Sequence, residues 1–154
     1  MKFENIPVVH TEDLATLINW RMEALQSVDD GLTAAERERL EEEIKKYYLR
    51  SIPTGNHYAV LASPGGEAIG CGALNFYSAM PTRENPSGAC ADLVNLYVRP
   101  AFRRQGVATA IIDHLKEIAR RVGVARIYIR TRDAARSLMS HEGFIAVDGV
   151  MVTR

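Results

Sequence analysis

No run of apolar residues in this sequence approaches the roughly 20 that span a bilayer, and the opening MKFENIPVVH lacks the basic-then-apolar order of a secretory leader. The expectation is a cytoplasmic chain with no membrane partner. Cysteine is scarce: Cys71 and Cys90 have no C-x-x-C spacing and no ligand-spaced histidine nearby. This points away from a disulfide framework or a metal site and toward two buried free thiols. His10, His57 and His114 likewise have no ligand-spaced partners and receive no role. Neither G-x-x-x-x-G-K-[ST] nor G-x-G-x-x-G occurs, which argues against the P-loop and dinucleotide folds. Repeats, low-complexity segments and long linkers are also missing. The 154 residues, 47% of them hydrophobic, suit one globular domain spanning 1–154.

Net charge is lacking too, but its zero hides an asymmetry. Residues 1–98 hold 8 Lys+Arg against 14 Asp+Glu, whereas residues 99–154 hold 11 against 5. A basic half suits a polyanionic ligand such as a phosphorylated cofactor. Nucleic acid is the weaker reading, because the arginines alternate with core positions and no zinc finger, basic zipper or aromatic RNA-binding motif is present.

The pattern of what is there reads as two helices, a run of strands, then strand, helix, strand, helix, strand: mixed α+β with one sheet. Thr11 is a candidate cap for a helix carrying Leu14, Leu17, Ile18, Met22 and Leu25 at helical spacing. Thr33 and Glu36 form a capping box that opens a charged helix to about Arg50, with Leu40, Ile44, Tyr47 and Tyr48 on its apolar side. His57–Ala62 and Glu67 to about Tyr77 read as a hairpin around Ser63-Pro64-Gly65-Gly66. A strand follows from about Ala91 to Val98. A helix from about Gln105 has Val107, Ala108, Ile111, Ile112, Leu115, Ile118, Ala119 and Val122 on one side and Gly123 as its stop. Ala125–Ile129 is a short strand, Asp133 to about His141 a short helix, and 144–147 and 150–152 are short strands around the turn Asp148-Gly149.

The stretch VRPAFRRQGVATAII, residues 98–112, joins a strand to a helix through a basic turn. A helix start leaves its first N–H groups unpaired and carries partial positive charge, so phosphate is a natural partner. A side chain at Gly106 would hold a diphosphate off the backbone, and Ala108 is the next smallest choice. Arg103 and Arg104 add charge. A basic helix cap with a turn glycine is the plainer alternative.

Here the sequence resembles the GNAT acetyltransferase superfamily, whose acetyl-CoA signature Q/R-x-x-G-x-G/A stands as Arg103-Arg104-Gln105-Gly106-Val107-Ala108. The flanking LVNLYVRP and TAIIDHLKEIAR are similar to that family's strand and helix, and AARSLMSHEGF to its closing helix with a Gly-Phe ending. The resemblance runs from about Leu14 to Val152, with a poorly marked first strand near Phe3 to Val9. It implies a splayed mixed central sheet flanked by helices. The pantetheine arm of acetyl-CoA, the co-substrate, would pair with the strand at Leu96, Tyr97 and Val98. Its diphosphate would meet the backbone N–H groups of Arg104, Gln105, Gly106, Val107, Ala108 and Thr109.

The implied activity is N-acetyl transfer by direct attack of a small amine or peptide amine on the thioester, and the alternative is a non-catalytic acyl-CoA-binding regulator. An alkylammonium of pKa about 10.4 is only about one part in a few thousand neutral at pH 7, so a base is useful. Asp92 lies where several family members carry one, and it is the only acid in its strand; a surface carboxylate is the other reading. Period-two alternation puts Asn95 and Tyr97 on the face opposite Asp92. Met139 occupies the position of the family's usual tyrosine acid, and Arg132 that of an asparagine. Ser140 and His141 neighbour the vacant acid position. Trp20, Tyr47, Tyr48 and Tyr77 flank the substrate side as acceptor-pocket or core residues. The resemblance also implies a monomer or a homodimer, the latter with AVDGVMVTR as a candidate edge strand.

Overall fold

The computed structural model of the chain describes residues 5–131, 133–147 and 150–154. Its elements are β1 (Val8–His10), α1 (Leu14–Gln26), α2 (Ala34–Ser51), β2 (His57–Ala62), β3 (Gly70–Ser78), β4 (Ala89–Val98), α3 (Val107–Arg121), β5 (Arg126–Tyr128) and α4 (Asp133–His141). The strands form one sheet in the order β1-β2-β3-β4-β5, antiparallel up to β4 and parallel between β4 and β5. This is the mixed α+β architecture expected from the element order.

Local chemistry explains the helix boundaries. Glu36 N donates to Thr33 Oγ1 at 3.2 Å and Thr33 N to Glu36 Oε2 at 2.8 Å, a complete capping box at the start of α2. At α1 the cap is Asp13, not the expected Thr11. Its carboxylate accepts from Thr16 N at 3.2 Å and Thr16 Oγ1 at 2.7 Å, while Thr11 Oγ1 accepts from Asp13 N at 3.0 Å. Thr11 thus orients the cap residue and stands two places outside it.

Two apolar layers cover the sheet. On one face α3 buries Val107, Ile111, Ile112, Leu115 and Ala119 against Val60, Leu74 and Leu93. Each large side chain so buried contributes about 1.5–3 kcal/mol. The close approach needs Gly72, since a Cβ there would stand 2.6 Å from Ile111 Cγ2. On the other face α1 and α2 set Leu17, Trp20, Met22 and Tyr48 against Ala59, Cys71, Ala73 and Tyr97. Both cysteines are free and buried, as expected.

The C-terminal segment departs from expectation. Residues 144–147 and 150–154 form no strand, and Ile145, Val147, Val150, Met151 and Val152 are all exposed. A short apolar run holds a strand only when a partner edge pairs with it, and among the described residues none does. The first strand begins at Val8, later than the expected Phe3, which lies outside the described residues, as do Arg132 and the Asp148-Gly149 turn.

Candidate active site

β4 and β5 touch only at one end. Their parallel pairing runs Cys90↔Arg126, Ala91↔Ile127 and Asp92↔Tyr128 and then stops, whereas β4 stays paired with β3 up to Val98. The β5-side edge of β4 from Leu93 to Val98 therefore has no strand partner among the described residues, although Arg103 Nε donates to Val98 O at 2.9 Å. The edge includes Leu96, Tyr97 and Val98, and it can accept an extended ligand that carries amides.

That edge leads straight to the basic turn. Arg104 (φ 60°) and Gly106 (φ 85°) are both left-handed with Gln105 between them, and α3 begins at Val107. Such alternation turns successive N–H groups toward one concavity. Gly106 is the helix N-cap and supplies no side-chain cap; the first backbone bond onto it comes from Ala110 N, at 3.1 Å. The amides of Val107, Ala108 and Thr109 are the ones a helix leaves without an intrahelical partner. A Cβ on Gly106 would meet nothing within 4 Å, so its backbone angle requires the glycine, and packing does not. A groove of about 420 Å³ lies against the same helix start, lined by Gly106, Thr109, Ala110 and Asp113 together with Ile6 and Val8.

The other expected contacts are distributed unevenly. Arg104 is exposed at the turn, but Arg103 folds back, its Nε donating to Val98 O at 2.9 Å and its guanidinium lying 5.7 Å from the Tyr97 ring centroid. Gln105 Nε2 reaches Ala101 O at 3.3 Å. Val107 is buried in the core, so only its backbone is available. Met139 is buried in the α3-side core as well, and Ser140 and His141 are exposed.

Strand alternation fails at one place, and the failure builds the other half of the site. Ala73 pairs with Val94 and Cys71 with Tyr97, so Gly72 alone opposes Asn95 and Leu96: a β-bulge, with Asn95 at φ 52°. The extra residue reverses the alternation. Leu93 and Leu96 both pack toward α3, while Val94 and Tyr97 pack toward α1 and α2. Asn95 Nδ2 donates to Tyr48 OH at 3.2 Å, on that second face. Asp92 pairs with Asn75, whose side chain meets α2, so Asp92 is on the second face too. The expectation that Asn95 and Tyr97 lie opposite Asp92 is therefore wrong: all three share a face, beside the open edge.

Asp92 has a tyrosine partner on this face, and a separate hydrogen-bonded group centres on Asn75, its cross-strand neighbour. Tyr77 OH donates to Asp92 Oδ1 at 3.1 Å, and burial together with that carboxylate pushes the Tyr77 phenol up to about 12. Asn75 Oδ1 accepts from both Tyr47 OH and His57 Nδ1 at 2.5 Å. His57 is only 3% exposed, and burial lowers its pKa from the ordinary value, so it is neutral at pH 7. His57 Nδ1 also lies 3.0 Å from Tyr47 OH, while Nε2 is buried without a partner, as is Asn95 Oδ1. Further along, Tyr97 OH donates to Glu23 Oε2 of α1 at 2.5 Å, and burial with that carboxylate raises the phenol to about 12. Sequence spacing missed His57, Asn75 and Glu23, because only the hairpin register and the packing of α1 bring them to this face. Among the described residues no group of His, Cys, Asp and Glu is arranged to hold a metal ion.

A strand edge without a strand partner lies before an uncapped helix start, with polar side chains on one face. The model of the acetyltransferase (GNAT) family matches residues 14–144, and the chain belongs to that family. Solved structures agree on the fold. A predicted acetyltransferase of Clostridium acetobutylicum, solved with acetyl-CoA, is 20% identical with TM-score 0.85, over 97% of this chain and 96% of that one. A GCN5-related N-acetyltransferase of Ralstonia eutropha JMP134 is 16% identical with TM-score 0.85, over 97% and 99%. Glucosamine-6-phosphate N-acetyltransferase of Arabidopsis thaliana is 14% identical with TM-score 0.65, over 98% and 99%. No curated protein matches the sequence. No described helix is long and apolar enough to cross a membrane.

Proposed function

We propose that residues 1–154 form one acyl-CoA N-acyltransferase domain that takes acetyl-CoA as co-substrate and acetylates a small amine or a peptide amine. The observation that carries this is the open edge of β4 leading directly into the uncapped first turn of α3. Acetyl-CoA matches it in shape and charge: the peptide-like arm suits the backbone of Leu96, Tyr97 and Val98, and the diphosphate suits the N–H groups of Arg104 to Thr109. The Clostridium relative's bound acetyl-CoA supports the choice of ligand. The chain is proposed to act in the cytoplasm as a monomer or homodimer, with no nucleic acid.

Acetyl-CoA supplies an activated acyl group on a thiol. This chain's residues have three tasks: to hold that thioester at the open edge, to admit a neutral amine, and to remove its proton. Holding both reactants in register supplies much of the rate advantage through proximity. Asp92 is the proposed base. It stands on the acceptor face, half-buried, with one oxygen held by Tyr77 OH and a position one strand from Asn75. A water can relay the proton from nitrogen to its carboxylate. The departing thiol, of pKa about 8.5, is a tolerable leaving group as thiolate near neutral pH, so a general acid helps less than it would for an alkoxide.

One observation favours the second reading, a non-catalytic acyl-CoA-binding regulator: Met139 is buried and brings no proton donor from α4. A screen of primary amines and peptide N-termini for thiol release from acetyl-CoA separates the two. Release with one acceptor class is the expected result. Tight acetyl-CoA binding without release across the screen moves the protein to the regulator.

A further inference from the structure

Glu142 is a buried carboxylate that neither the core nor the proposed chemistry uses. It directly follows α4, and its residue is 8% exposed. Its Oε1 accepts from Thr109 Oγ1 at 2.6 Å. Lys116 Nζ bonds to the Glu142 backbone oxygen, and the same Nζ lies 5.6 Å from the Phe144 ring centroid. Among the described residues no Lys, Arg or His nitrogen comes within 4.0 Å of the carboxylate. The only hydrogen bond to it among the described residues is from a neutral hydroxyl, although a buried charge is costly without an ionic or multiple hydrogen-bonding partner.

The place explains the choice. Thr109 is the third residue of α3, in the turn whose free amides and dipole favour an anion. Gly106 leaves that turn without a side-chain cap of its own, and the carboxylate hydrogen-bonded to a side chain of the turn comes from the end of α4. We propose that Glu142 is an internal anion of the cofactor site: it steadies the first turn of α3 when no diphosphate is bound and opposes the diphosphate when one is. CoA affinity is thereby held low enough for the spent product to leave. This rests on the reading of the α3 start as the diphosphate site.

The test is calorimetric titration of CoA into wild type, Glu142→Gln and Glu142→Met at low and high salt, with circular dichroism to verify the fold. The first variant keeps the shape, the second keeps only the volume, and both remove the charge. CoA should bind both variants about tenfold more tightly at low salt, with the gain shrinking as salt screens the repulsion. Thr109→Val, which cuts the hydrogen bond and keeps the charge, should give no tightening. A purely structural clasp between α3 and α4 predicts the opposite sign, because loosening it would weaken binding. Unchanged or weaker binding in either folded charge-removing variant overturns the proposal. CoA binding to none of the four proteins overturns the cofactor reading itself, and the proposal with it.

Discussion

Gly106→Leu is the sharpest perturbation of the proposed diphosphate site, because its effects on fold and on ligand separate. The glycine sits at φ 85°, a conformation that costs an ordinary residue about 1–2 kcal/mol. No atom lies within 4 Å of the added Cβ, so packing adds no further penalty. For a domain of this size, the melting temperature should fall by about 2–4 °C per kcal/mol, that is, by a few degrees. The ligand pays more: the new side chain projects where a diphosphate approaches the N–H groups of Val107 and Ala108. Each charge-assisted hydrogen bond lost there is worth about 1.5–3 kcal/mol. One lost bond weakens CoA binding about tenfold and two about a hundredfold or more. Calorimetry on variant protein shown to be folded by circular dichroism measures the change. Unchanged affinity would refute the reasoning, since no bulky side chain can share this turn with the phosphates.

Asp92→Asn should lower kcat about a hundredfold with CoA affinity preserved, as for a group that moves a proton; turnover that survives unchanged discards Asp92 as base. His57 and His114 are both held below the ordinary histidine pKa by burial. The unfolded chain therefore takes up their protons first, so stability is full above about pH 6.5 and is lost as pH falls below it. His57→Gln should flatten that slope in denaturant titrations run from pH 7.5 to 5. Gly72→Val forces a Cβ within 2.6 Å of Ile111 Cγ2 and should cost about 1–3 kcal/mol by urea unfolding, whereas a stable variant would mean that α3 can move off β3.

The legible parts of this chain were those set by local rules. Thr33 and Glu36 announced α2, the apolar spacing from Val107 to Ala119 gave α3 its buried side, and Asp133–His141 was read at its observed bounds. The left-handed turn at Gly106 was equally legible, because a glycine after a basic turn and before an amphipathic helix is itself the local geometry. The side-chain arrangement around Asp92 was not. Asn95 takes a left-handed backbone angle without being glycine, and that one residue moves itself and Tyr97 to the face of Asp92. Alternation rules cannot see such a bulge. His57 meets Asn75 only through a register set across a seven-residue connection, and Glu142 meets Thr109 only through the way α4 lies on α3. The C-terminal apolar residues formed short β-prone runs, but a run does not pair itself.

The free amides at the start of α3 are proposed to hold the phosphates of the co-substrate, and nitrogen-15 amide spectra during a CoA titration test this most directly. The amide resonances of Gly106, Val107, Ala108 and Thr109 should show the largest shifts, followed by those of Leu96 to Val98, all saturating with one dissociation constant. CoA that binds while the α3-start resonances stay fixed, or that moves only residues elsewhere on the surface, would contradict the account.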